Sequence, residues 1–239
     1  MLLKACVNGA RPVTDHPRLS ADPLRVAEEA AAAVEAGAAA IHLHPKDRHG
    51  RDSLAPADVA RFVEAARRLC PGIPIGVTTG AWAEPDPESR ISAIALWRVL
   101  PDFASVNWHE DGADEVAAAL LKLGVGVEAG IWHLDGLHAW RRSALRNRCL
   151  RALVELPDTH DLTNFNRMAR TLVAGIRGTD PAMPILMHGH GVSAWPGVDL
   201  AAAMGLDARI GLEDSLHLPD GATATGNADL VRAAIAMLI

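Results

Sequence analysis

The sequence predicts a (β/α)₈ barrel, the TIM-barrel class of α/β fold, as a single domain over residues 1–239. Three observations lead there. Strand-like and helix-like segments alternate eight times, with no linker or low-complexity stretch between them. No GxGxxG or GxxxxGK[ST] follows any strand, so the nucleotide-binding open sheets lack their fingerprint. The 239 residues fall just short of the roughly 250 usual for such a barrel, so the connecting loops must be trimmed.

The elements follow in order. Residues 3–8 are a short apolar run ending at the turn signal Asn8-Gly9. Ser20, Asp22 and Pro23 open a helix with an N-cap and a first-turn proline; it runs through Glu35 and stops at Gly37. Residues 38–44 are the second strand. Pro56–Leu69 places Val59, Phe62, Val63, Ala66 and Leu69 at helical spacing, and Pro71-Gly72 ends it. Residues 73–79 and 103–108 form the third and fourth strands, with helices at 87–100 and 113–123. The fifth strand, 125–132, carries Gly126 and Gly130. Patterning is weakest from 134 to 178, where a helix at 139–148, a strand at 150–156 and a helix at 162–176 are expected. A strand at 184–187, a helix at 198–204, a strand at 208–212 and a closing helix over Asn227–Leu238 complete eight units.

Composition narrows the function. Hydrophobic residues at 49% and charged residues at 22% suit a soluble protein with a sizeable core. Lys and Arg total 23 against 29 Asp and Glu, a net charge of −6, so there is no basic excess for nucleic acid. No apolar run approaches the roughly 18 residues that span a bilayer, and the start lacks a signal peptide's basic region and cleavage site. Cys6, Cys70 and Cys149 are too scattered for a disulfide framework. A cytoplasmic protein without a membrane partner is expected. Tyr is absent, whereas His numbers 11, which directs attention to metal and acid–base chemistry.

Ile41-His42-Leu43-His44-Pro45-Lys46-Asp47 is the sharpest motif. Side chains alternate along a strand, so His42 and His44 share a face, at the barrel mouth where such enzymes act. An HxH alone fits a metal-ligand pair or two satisfied histidines equally well. The segment from Ala208 to Asp214 adds a candidate third ligand, because Arg209, Gly211 and Glu213 share a face and the eighth strand closes on the first. Two His and one Glu plus water make an open catalytic zinc site; the plainer option leaves Glu213 and Asp214 as solvated turn acids paired with Arg209. Both motifs at one mouth favour the metal site.

Other polar residues end strands there: Asn8, Thr78, Thr79, Ser105 and Asn107. Glu128 lies midway along the fifth strand, where Gly126 and Gly130 leave room for a ligand. His188-Gly189-His190-Gly191 follows the seventh strand and is expected to bring Gly189 backbone to a ligand rather than histidine to a metal. Trp82 and Trp108 are placed to line a substrate pocket, the other tryptophans to fill the core. Arg141, Arg142, Arg146, Arg148 and Arg151 are assigned to a solvated helix face rather than a phosphate-binding patch.

Together, Val7-Asn8-Gly9, HxHxxD from His42 to Asp47, Thr79-Gly80, and RxGxED from Arg209 to Asp214 resemble the β-keto acid cleavage enzymes. The tail from Asp220-Gly221 to Val231 is similar as well. The resemblance implies a (β/α)₈ fold, a homo-oligomer (tetramer or dimer), one Zn²⁺ per chain, and conversion of a β-keto acid and acetyl-CoA into acetoacetate and a new acyl-CoA. It implies that His42, His44 and Glu213 hold the zinc, that Arg209 and Asp214 are the catalytic pair, and that Glu128 matches a fifth-strand glutamate. Asp214 would act as general base and Thr79 or Ser105 would bind an oxyanion, with Asn8, Asn107, Trp82 and Gly189 on the substrate. Pro45-Lys46 stands where the family usually has Val-Arg, and the segment between strands five and seven is abbreviated. Two other readings are a metal-dependent hydrolase of the amidohydrolase type and a non-catalytic metal-binding barrel. In the hydrolase type, the HxH normally ends the first strand instead of the second.

Overall fold

A computed structural model describes residues 1–238. Its strands are β1 (Leu3–Cys6), β2 (Ala40–Leu43), β3 (Ile75–Thr78), β4 (Phe103–Asn107), β5 (Gly126–Ile131), β6 (Arg151–Glu155), β7 (Ile185–His188) and β8 (Asp207–Ile210). The helices between and after them are α1 (Pro23–Glu35), α2 (Pro56–Leu69), α3 (Pro87–Ala95), α4 (Ala113–Lys122), α5 (Leu134–Arg142), α6 (Leu162–Arg177), α7 (Ala194–Ala203) and α8 (Asn227–Leu238). All strands are parallel and follow sequence order around a closed barrel, β8 returning to β1 through Leu3↔Ala208, Lys4↔Arg209 and Ala5↔Ile210. The (β/α)₈ architecture is thus the one the sequence predicts.

Strand alternation sorts the residues into two cores. Ala5, Ile41, Val77, Val106, Val127, Val154, Met187 and Ile210 point outward and join the apolar layer under the helices. Their neighbours face the barrel interior, and many are polar. At its floor Lys4 and Arg151 both pair with Glu128, Arg151 at 3.3 Å, with no exposed surface on Lys4 or Glu128. Phe103 packs beside them, its ring centroid 5.5 Å from Lys4 Nζ. That cluster fills the barrel interior near the strand starts.

Local chemistry explains the helix boundaries. Asp22 caps α1 by accepting from the amides of Leu24 and Arg25, and Asp86 and Asp161 cap α3 and α6 in the same way. Three helices differ from the sequence expectation. Helix α5 starts five residues earlier than predicted and stops at Arg142, because Ser143 turns extended and Arg146–Arg148 form a separate 3₁₀ turn. Helix α3 ends at Ala95, well before Pro101. Helix α7 begins at Ala194 and keeps Pro196 in its first turn, where a missing N–H costs no helical bond. Among the described residues, no helix is long and apolar enough to cross a membrane.

Candidate active site

His42 sits on β2 and His44 one residue beyond it, so pleat alternation turns both rings inward, 5.2 Å apart and edge to face. Strand β8 ends at Ile210, earlier than predicted, and Glu213 reaches the same place from the turn after it. Gly211 permits this: a Cβ there would strike the backbone of Cys6, so only glycine lets the turn lie against β1. Glu213 then presents its carboxylate 3.9 Å from His42 Nε2 and 3.6 Å from His44 Nε2. Zinc ligands 2.0–2.1 Å from an ion stand about 3.3 Å apart, so modest closure brings three donors onto one cation. Glu213 Oε2 is buried and has no hydrogen-bond partner among the described residues. The donor set therefore fits a divalent metal.

Electrostatics agree. Burial drives the His42 imidazole well below the ordinary histidine range, which keeps it in the neutral ligating form. Burial also depresses His44, but the Glu213 carboxylate and the hydrogen bond to Asp52 outweigh it and lift it to about 9. Glu213 is held well below the usual carboxylate range because Arg209, His44 and His42 overcome the effect of burial. A proton on His44 supplies positive charge that a metal would replace.

Asp52 fixes the orientation of His44. Its Oδ2 faces His44 Nδ1 at 2.7 Å and accepts from Trp82 Nε1 at 2.9 Å, while Oδ1 accepts from Lys46 Nζ at 2.5 Å. With Nδ1–H donated to this carboxylate, Nε2 is the atom that faces Glu213 and would exchange its proton for a metal, the usual support of a metal-bound histidine. Trp82 lies over His44 with its ring nearly parallel, centroids 6.1 Å apart. Asp47, which completes HxHxxD, is elsewhere: it binds Arg51 and caps an exposed turn. That turn folds the chain back and pairs Lys46 with Asp52.

Arg209 binds both acids, donating through Nη2 to Glu213 Oε1 at 2.8 Å and to Asp214 Oδ1 at 2.7 Å. Arg209 and Asp214 are buried and Glu213 is 11% exposed on its side chain, where it meets the cavity, so both acids are paired with Arg209 instead of standing as solvated turn residues. Asp214 stays below its ordinary range, since Arg209 and His188 overcome burial. Behind it, His188 and His190 approach Asp214 Oδ1 through Nδ1 at 3.4 and 3.5 Å and Glu155 through Nε2 at 3.2 and 2.7 Å. A cavity of about 780 Å³ opens over both clusters, lined by His44, Glu213, Trp82, Glu155 and His190 together with Arg11, Trp132, Asn164 and Met168.

Several residues expected at the site are placed otherwise. Glu128 is locked to Lys4 and Arg151 in the barrel floor and does not line the cavity. The space beside it is not free, because a Cβ on Gly130 would collide with the Asn107 side chain. Asn8 clamps His44 through the latter's backbone, donating to its carbonyl at 2.8 Å and accepting from its amide at 2.9 Å. Thr79 spends its hydroxyl on the Ser105 carbonyl. Asn107 binds Glu110 and accepts from Trp132 Nε1. Gly189 serves packing, since a Cβ would meet the Ser193 carbonyl. Trp82 lines the cavity, while Trp108 is buried. Ser105 retains partial exposure. The arginine run disperses: Arg141 lies on α5, and Arg151 enters the barrel.

Missed from sequence were Asp52, Glu155 and the floor cation Lys4. For Glu155 a signal existed, because Arg151, Leu153 and Glu155 share a face of β6 by the alternation that placed His42 and His44.

Comparison with known proteins agrees with this architecture. The 3-keto-5-aminohexanoate cleavage enzyme of Acetoanaerobium sticklandii is 22% identical over 250 residues, covering 97% of this chain and 89% of that protein. ObcA, solved in ternary complex with a C4-CoA adduct and oxalate, aligns with a TM-score of 0.75 at 19% identity over 93% of this chain. ObcA in binary complex with oxaloacetate aligns with a TM-score of 0.72 at 19% identity over 90% of this chain. These likenesses are of fold, and the chain spans just under two thirds of ObcA's length, 64% and 62% in the two structures. Residues 1–238 match the family model for beta-keto acid cleavage enzymes, and the chain belongs to that family.

Proposed function

We propose that the protein is a zinc-dependent acyltransferase that takes a β-keto acid and acetyl-CoA to acetoacetate and a new acyl-CoA. One observation carries the proposal: His42 and His44 each stand within 3.9 Å of the Glu213 carboxylate, and His44 and Glu213 line a cavity large enough for a small ligand. Family membership supplies the reaction class, and ObcA's oxaloacetate and CoA-adduct complexes supply the two substrate classes.

The bookkeeping of the reaction is a Claisen-type exchange without redox change. The bond between C2 and the keto carbon of the acid breaks, and the acetyl C–S bond breaks. The acetyl carbon joins C2, and the departing acyl group joins the CoA sulfur. A divalent ion held by His42, His44 and Glu213 would polarise the keto oxygen and stabilise negative charge on it.

The chain's own groups do the rest. Arg209 holds Glu213 and Asp214 in register from one guanidinium. Asp214 keeps Oδ2 free of hydrogen bonds and is assigned the proton transfer, with no exposed surface and so away from bulk water. Trp82 covers His44 and restricts water there. Ser105, partly exposed, is assigned to a substrate oxygen. Arg11, lining the cavity and donating to the Glu213 carbonyl at 3.0 Å, is assigned to an incoming carboxylate or phosphate.

The test is a panel of β-keto acids with acetyl-CoA, scored for acetoacetate, together with elemental analysis for zinc. Acetoacetate is expected from at least one acid and its formation is expected to vanish in His44→Ala and Glu213→Ala. Failure of the whole panel, or CoA-independent hydrolysis of esters or amides, would refute the acyltransferase. Homo-oligomeric assembly belongs to the same proposal and is read by light scattering.

A further inference from the structure

We propose that Glu155, His188 and His190 form a second site for a divalent cation of the zinc class, facing the same cavity as the first. Glu155 ends β6, His188 ends β7, and the two are direct register partners with inward side chains. One donor atom from each of the three residues can be chosen so that all lie within 4.8 Å of one another. Imidazole nitrogens with a carboxylate are a set that borderline transition metals prefer.

The donors are aimed, not merely close. His188 has no exposed surface, and its Nε2 stands 3.2 Å from Glu155 Oε2, near the roughly 3.3 Å separation of two tetrahedral zinc ligands. Yet that nitrogen has no hydrogen-bond partner among the described residues. An ion pair between His190 and Glu155, at 2.7 Å, satisfies Glu155 Oε1 but leaves His188 Nε2 unbonded. A cation between the three groups would satisfy His188 as well.

The support behind the donors repeats that of the first cluster. There, His44 turns Nε2 toward a glutamate and Nδ1 toward Asp52. Here, both histidines turn Nε2 toward Glu155 and Nδ1 toward Asp214 Oδ1. A carboxylate behind Nδ1 is the arrangement that orients metal-bound imidazoles. The loop bearing His190 is fastened, its amide donating to Ser193 Oγ and its carbonyl accepting from the Ser193 amide.

Zinc stoichiometry decides the matter, independently of turnover. Protein stripped with a chelator, reloaded with Zn²⁺ and desalted is expected to carry two zinc ions per chain by plasma mass spectrometry. His190→Ala and the near-isosteric Glu155→Gln are each expected to carry one, as is His42→Ala, with folding of each checked by circular dichroism. One zinc in the wild type that His42→Ala removes and His190→Ala retains overturns the second site. One zinc that His190→Ala removes and His42→Ala retains upholds it and refutes the metal centre of the proposed reaction instead.

Discussion

Asp52→Ala is the perturbation that most directly probes how the first cluster is held. The carboxylate serves three donors at once: His44 Nδ1, Lys46 Nζ and Trp82 Nε1. Deleting it frees the His44 ring to rotate and to move its proton to Nε2, the atom facing Glu213. Loss of such a supporting carboxylate lowers metal affinity by about 10- to 100-fold, or about 1.4–2.7 kcal/mol. A separate cost falls on folding. Lys46 is 3% exposed on its side chain and would keep only the Gly9 carbonyl, at 2.6 Å, for about 1–3 kcal/mol of lost stability. The two effects separate by assay, with zinc competition against a chromophoric chelator for the first and urea unfolding of the metal-free protein for the second. Asp52→Asn, which keeps an acceptor oxygen but not the charge, is expected to fall between. A folded Asp52→Ala that binds zinc as tightly as the wild type would refute the assigned role.

Other perturbations read other parts of the structure. Glu128→Gln is expected to lower stability, since Lys4 and Arg151 lose their shared anion, at about 3–5 kcal/mol for breaking a buried pair. Its kcat is expected to hold in the folded fraction, and a large fall in kcat with stability intact would return Glu128 to catalysis. Trp97→Ala removes a fully buried indole that donates to the Leu54 carbonyl and should cost about 3–5 kcal/mol in urea unfolding. Burial pushes the Cys149 thiol up to about 12 and raises Cys6 and Cys70 as well. Thiolate fractions therefore grow only at strongly alkaline pH, so a disulfide reagent at mildly alkaline pH should label the three thiols slowly in native protein and promptly after denaturation. Trp82→Ala should raise KM for the keto acid and weaken zinc binding by about tenfold, the lower end of what a hydrogen bond to a charged group is worth.

Helix caps such as Asp22 and the apolar spacing of α2 are local facts, and both are legible in the sequence. So was the shared face of His42 and His44, because a pleated strand has a period of two wherever it sits. Boundaries shifted where no local signal competes strongly, as at α5, whose N-cap His133 makes no side-chain capping bond. Asp47 against Asp52 shows a different limit. Both lie within eight residues of His44, and which one faces the imidazole depends on the turn that reverses the chain after Lys46.

The sequence by itself determined the eightfold alternation, the inward pair His42 and His44, and the grouping of Arg209 with Glu213 and Asp214, all set by separations of a few residues. Only the tertiary structure decided that Glu128 belongs to Lys4 and Arg151, that Asp52 orients His44, and that Glu155 meets His188 and His190. Asp52 lies only eight residues from His44, beyond the turn that follows β2, whereas the other contacts join separate strands. The strand contacts exist because barrel closure sets one register between each pair of neighbours, and a shift of one residue would turn the side chains of Glu128, Arg151, Glu155 and His188 to the opposite face.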